Sequence, residues 1–446
     1  MSRDTIDGLI WPGTATRRNS PRTGDDPKMR IGESGWLRLG SVGGRAGEGR
    51  PRRSRSFRPS GADEGLEDRR LMSVQVTAAD TLKIQTFPAP TVAVKGQDVT
   101  TGPDGNLWFT EPGVGKIGRT TPSGAVSEFP LPQGHEAAGA IIAGPDGNLW
   151  FTEADRVGRV TPAGVVTEFP VDPGAHLTGI AAASDGNIWF MDTDNHKIGR
   201  VTPGGVVTEL PIPAATSLKS YGNVNLFHDL SAGPDGNLWY TAEKVNPRTG
   251  ERVGEIGRVT PSGVVTLFTP PALPKARHSS LSFSYTTGGK ITGTGPMLTE
   301  AITAGPDGNL WFTEHQANGL SRIGKITTAG KITQFPIPDT PKGSKTPDVA
   351  TSITRGPDQN LWFNLAEDNF LTGPTPAPFV GRITTGGKAR VFNLPSAPVT
   401  AKDSIGGLYA LGAETITLGP DGKLWFTSTT RRPDSPTGRV LASFAP

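Results

Sequence analysis

The stretch GPDGNLWFTE spans residues 102–111, recurs unchanged at 144–153, and returns in variants down to GPDGKLWFTS at 419–428. Proline presets φ near about −65° and the Asp-Gly pair supplies the positive φ of a tight hairpin, so PDGN reads as a turn that feeds a strand. The tryptophan of the phrase falls at 108, 150, 189, 239, 311, 362 and 425, which makes seven copies. Their spacings run 42, 39, 50, 72, 51 and 63, so the shortest set the unit and the excess is insertion. Several short strands repeated at about 40 residues are the signature of propeller blades.

One unit, GAIIAGPDGNLWFTEADRVGRVTPAGVVTEFPV at 139–171, divides at its turns into four strands. Strand A is GAIIA, strand B is LWFTE after the PDGN turn, strand C is RVGRVT, and strand D is VVTEFPV after the PAG turn. In strand B the period of two puts Leu and Phe on one side and Trp and Thr on the other. Both sides are largely apolar, as expected of a blade packed between two neighbours. The seventh copy ends at GRVLASFAP with no strand D, while TLKIQTFPAP at 81–90 precedes the first strand A and reads like one. The expectation is an all-β, seven-bladed propeller of four-stranded blades, with the N-terminal strand completing the last blade and removing the open edge.

Composition agrees with many short strands and turns: 59 glycines and 41 prolines stand among 446 residues, and helical apolar stripes are hard to find. There is no cysteine, which excludes disulfides, thiolate nucleophiles and Cys-ligated zinc. The net charge of +3 is uneven: residues 1–75 hold 14 Arg and 1 Lys against 10 acids, leaving the remainder slightly acidic. The propeller therefore has no basic footprint for nucleic acid. No apolar run approaches the roughly 18 residues of a membrane helix.

Residues 1–78 form an Arg/Gly/Ser/Pro-rich leader without period, read as disordered, and residues 79–446 form the propeller. Within the leader, EGLEDRRLMS at 64–73 resembles a short element near the N-terminus of large exported bacterial proteins. That resemblance implies an extracellular or cell-surface location, with a cytoplasmic one as the alternative. An overcalled start, with Met29 or Met72 as the true one, would also produce such a leader.

The repeats, GPDGNLWFTE followed by IGR(I/V)TPSGVVTEFPLP, closely resemble the streptogramin B lyases, also called virginiamycin B lyases, which are seven-bladed propellers. The resemblance implies a carbon–oxygen lyase that linearises a cyclic depsipeptide antibiotic by elimination across its ester, using Mg²⁺ and a histidine. Elimination alpha to a carbonyl needs a base for the proton and a positive centre for the developing charge. Both would sit on one face, because every long insertion falls in a B-to-C or D-to-A connection, while the A-to-B and C-to-D turns are tight.

By this resemblance His228, two residues before the apolar residue of strand A in the fourth copy, is a substrate contact, with Asp229 beside it. The fifth copy reads LTEAI where the family has Glu-Pro-His-Gly-Ile, so Leu298 takes the place of a metal glutamate and Glu300 that of the catalytic histidine. Glu314, ending WFTE, matches the second metal glutamate. Glu300 could serve as base or, with Glu314, as a ligand of Mg²⁺ or Ca²⁺. Glu111 and Glu153 occupy the same strand position in other copies, which also allows Glu314 to be a repeat residue. His315 follows Glu314 and faces the other way; it is read as a rim residue or a substrate contact. His135, His176, His196 and His278 fall in loops and are expected at the surface.

Two further functions stay open: an exported propeller that binds a small molecule or peptide without turnover, and a lactone hydrolase that would draw on Glu300, Glu414 and Asp98. In each case the expected partner is a ligand at the loop-rich face of a monomer.

Overall fold

Each GPDGNLW phrase closes on its own tryptophan. In the first, Asp104 Oδ1 accepts the indole N–H of Trp108 at 3.0 Å and Oδ2 accepts the Asn106 amide at 2.8 Å. Gly105 has φ of 72°, and a Cβ on Gly102 would lie 2.4 Å from Trp108 Cδ1. The motif is thus one cluster in which turn, acceptor and indole fit only together. Burial works against the Asp104 charge, but the bonds from Asn106 and Trp108 outweigh it and hold the carboxyl below its ordinary pKa.

The computed structural model divides the chain into two units, Met1–Met72 and Ser73–Pro446. It describes residues 82, 84–88 and 98–446, except 113, 133–136, 213–226, 246–251, 273–282, 285–289, 292–297, 316–320, 339–347, 368–374, 395–410 and 433–434. The leader and its export element lie outside the described residues, as do His135 and His278. His176 is exposed and His196 half-buried with φ of 54° in the turn after strand B.

Seven antiparallel four-stranded sheets follow one another, each in the order A, B, C, D. The fourth blade comprises Phe227–Ala232, Leu238–Val245, Arg252–Val259 and Val265–Phe268. The fifth comprises Leu298–Ala304, Leu310–His315, Ser321–Ile326 and Ile332–Pro336. The last comprises Leu411–Leu418, Leu424–Arg432 and Ser435–Phe444, with Ile84–Pro88 as its outer strand, paired Ile84 to Phe444 and Pro88 to Val440. Ring closure by the N-terminal strand is therefore as the sequence predicted. Strand A of each blade lies against strand A of the next all the way round.

The core lies between blades. All seven repeat tryptophans are at most 1% exposed. Trp108 packs with Leu149 and Phe151 of the following blade, and Trp425 of the last with Leu107 and Phe109 of the first. Strand D adds a stacked ring: Trp108 on Phe129 at 5.3 Å, Trp311 on Phe335 at 5.6 Å, and Trp425 on Phe87 at 4.9 Å. The strand C cation covers the same indole and reaches the next blade, as Arg119 does by donating to the Pro162 carbonyl at 2.8 Å. Glycine of the IGR motif is required because a Cβ on Gly118 would meet the Phe109 ring at 2.1 Å.

Several insertions expected as loops are partly strand. The B-to-C connections of the fourth, sixth and seventh blades continue as extended hairpins, paired out to Val245–Arg252, Glu367–Thr375 and Arg432–Ser435. In the connection between the fourth and fifth blades, Phe283–Ser284 pairs antiparallel with Lys290–Ile291. Among the described residues no helix is long and apolar enough to cross a membrane.

Candidate functional site

The expected site residues stand at the seam between the fourth and fifth blades, where strand A begins and strand B ends. The seam is stitched by side chains that reach across it. Asp229 takes the Leu230 amide at 2.8 Å and, across the seam, the Ile302 amide at 2.9 Å. The Thr241 hydroxyl donates to the Glu300 carbonyl, and Thr299 donates to the carbonyls of Ala242 at 3.1 Å and Glu255 at 3.2 Å. Thr313 accepts the Ala301 amide at 3.0 Å. The backbone around Glu300 is fixed from both sides.

Asp229, expected beside His228 as a substrate contact, is a staple in this structure, with both oxygens accepting backbone amides. Asp98 does the same between the first two blades, accepting Val99 and Ile141 amides at 2.9 Å each. Burial pushes both carboxyls up, Asp98 to about 7 and Asp229 to about 6, against the lowering pull of those amides. A carboxylate committed in this way is poorly placed to join the hydrolase metal set considered for Asp98. Nothing is described of the Glu414 side chain.

Two histidine–carboxylate pairs stand where strand A begins and strand B ends. His228 Nε2 lies 3.3 Å from Glu243 Oε1, and His315 Nδ1 lies 3.7 Å from Glu300 Oε1. The positions correspond: His228 and Glu300 each stand two residues before the apolar residue of strand A, and Glu243 and His315 each stand four residues after the strand B tryptophan. The fourth blade thus carries His on strand A and Glu on strand B, and the fifth carries the reverse. A β-bulge between Phe227 and Leu230, repeated between Thr299 and Ile302, turns the strand A residue toward its partner on strand B. Glu243 was not anticipated from the sequence, although its place one residue beyond strand B's usual end, matching His315, is a signal that would have found it.

Glu314 points elsewhere. Its Oε2 accepts the Gln334 amide of strand D at 3.0 Å, while Oε1 has no hydrogen bond. Alternation sends Glu314 and His315 to opposite faces, so Glu300 and Glu314 do not form the expected ligand pair. Glu314 is fully buried, and that burial lifts its carboxyl to about 7 despite Gln334 and Arg322. Glu111 and Glu153 are buried alike, lifted to about 7 and about 8 first by desolvation and next by the strand D glutamates Glu128 and Glu168. The unbonded oxygens of Glu111 and Glu153 recur at blades with no candidate site, which makes the buried strand B glutamate a feature of the repeat. Among the described residues no three His, Cys, Asp or Glu side chains gather as a metal cluster. With Leu298 in place of the first glutamate and Glu314 turned into the sheet, these residues do not fit the family's Mg²⁺ site, nor a Ca²⁺ site.

Fold and mouth together define a closed seven-bladed propeller with paired imidazoles and carboxylates at one end of its ring of inner strands. The sequence profile of the Virginiamycin B lyase family matches residues 75–272 and 283–409, and the chain belongs to that family. A streptogramin B lyase structure is similar over 82% of this chain and 99% of its own, at 24% identity and a TM-score of 0.57. Virginiamycin B lyase from Staphylococcus aureus matches over 81% of this chain and 99% of its own, at 25% identity and a TM-score of 0.54. The same coverage, identity and TM-score hold for a catalytically inactive variant of that enzyme solved with quinupristin. No curated protein sequence matches significantly.

Proposed function

We propose that the chain acts on a cyclic depsipeptide or a related ester held at the loop-rich face, opening the ring by elimination. What supports this reading is family membership together with His228, which by the resemblance holds the substrate-contact position and has its Nε2 3.3 Å from Glu243 Oε1. Elimination asks for a proton acceptor next to the ester, and imidazole is suited to that at neutral pH. Because the residues do not fit the family's metal, no step here is assigned to one.

The test is incubation of the purified protein with quinupristin or another streptogramin B, followed by chromatography and mass spectrometry. Elimination gives a linear product of unchanged mass, whereas a lactone hydrolase adds one water. Loss of the product in His228→Ala, with folding retained, is expected. A second reading, a propeller that binds such a ligand without turnover, is favoured by Leu298 and by Glu300 at the family's histidine position. Saturable binding with no product would establish it.

A further inference from the structure

We propose that His315 is the proton acceptor of this mouth and that Glu300 positions it, the imidazole having passed from strand A to the neighbouring strand B. The observation is the inverted order of the two pairs. Glu300 stands at the position the resemblance gives to the catalytic histidine, and an imidazole stands beside it on the neighbouring strand, its Nδ1 3.7 Å from Glu300 Oε1. Nδ1 has no hydrogen bond in the structure, so the carboxylate is the group placed to receive its proton. A carboxylate on Nδ1–H fixes the tautomer that leaves Nε2 unprotonated and basic, and the pair needs to close by only about 1 Å when substrate arrives. His228 has the other ring edge toward its carboxylate, Nε2 facing Glu243, and is retained as a substrate contact.

The step balances without a co-reactant. The C–H bond alpha to the carbonyl breaks with its proton going to His315 Nε2, and its electron pair forms a carbon–carbon double bond. The adjacent C–O bond then breaks and its pair leaves on the ester oxygen as a carboxylate. The imidazolium is held by Glu300 until it releases the proton to solvent.

This assignment rests on the elimination reading, but the pair can be tested apart from turnover. In full-length protein with ¹⁵N-labelled histidine, two-bond ¹H–¹⁵N spectra are expected to show His315 as the Nδ1–H tautomer, shifting toward Nε2–H in Glu300→Ala. An Nε2–H tautomer in the parent, or one unmoved by Glu300→Ala, would overturn the pairing. In the ring-opening assay His315→Gln is expected to lose about 100-fold in kcat. Glu300→Gln should lose less, with KM nearly unchanged in both. A His315→Gln protein that folds, by circular dichroism, and turns over at the parent rate sinks the assignment. If the parent opens no ring at all, the elimination reading fails, and the tautomer measurement alone decides whether Glu300 holds His315.

Discussion

Phe87 stacks on Trp425 with ring centroids 4.9 Å apart and planes inclined by 22°, joining residues at opposite ends of the propeller sequence. The geometry repeats the Trp108–Phe129 and Trp311–Phe335 stacks within single blades, so Ile84–Pro88 is chemically a strand D as well as topologically one. A ring closed by such a strand has its last blade completed to four strands and shares one core between the last blade and the first.

Phe87→Ala is expected to cost about 3–5 kcal/mol, the same class of loss as Phe335→Ala in a blade closed by its own strand. Denaturant unfolding monitored by tryptophan fluorescence measures both. A parent-like midpoint for Phe87→Ala would show that the closing strand adds little.

The turn aspartates support buried indoles. Removing the acceptor of Trp311 Nε1, which lies 2.9 Å from Asp307 Oδ1, strands a donor on a residue with no exposure. Asp307→Ala should lower stability by about 1–3 kcal/mol. An unchanged unfolding curve would mean that water replaces the carboxylate.

Glu111 provides a pH test away from the mouth. Burial raises its pKa from 4.5 to about 7, so the folded state holds the proton more tightly than the unfolded one. Its contribution is then fully present below about pH 4.5 and is lost as pH climbs through about 7. Glu111→Gln cannot ionise, and should narrow the gap in stability between pH 5 and pH 8 by about 1–3 kcal/mol. Equal gaps in parent and variant would place the carboxylate in contact with solvent or a stronger cation.

Titration calorimetry with Mg²⁺ or Ca²⁺ is expected to give no saturable heat below millimolar concentration, because Glu314 is bonded into the sheet and Leu298 supplies no oxygen. Saturable binding abolished by Glu314→Gln would restore the Glu300–Glu314 ligand pair.

The sequence by itself determined the architecture. Seven tryptophans, their Asp-Gly turns and the unpaired strand pattern at 81–90 specify seven blades and their closure, because strand period, turn chemistry and repeat length are local properties of the chain. It also exposed Leu298 and Glu300 as departures at the family's chemical positions, and the recurrence of Glu111 and Glu153 already pointed to a repeat role for Glu314. Only the tertiary structure decided which of these side chains meet. Residues 300 and 315 lie on neighbouring strands whose register is broken by the bulge between Thr299 and Ile302, and Asp229 reaches an amide 73 residues away in the next blade. Pairing across a bulged ladder and across a blade seam is set by how sheets stack around the ring. No period along the chain encodes it, so the His315–Glu300 pair, the Asp229 staple and the inward turn of Glu314 emerge only in three dimensions.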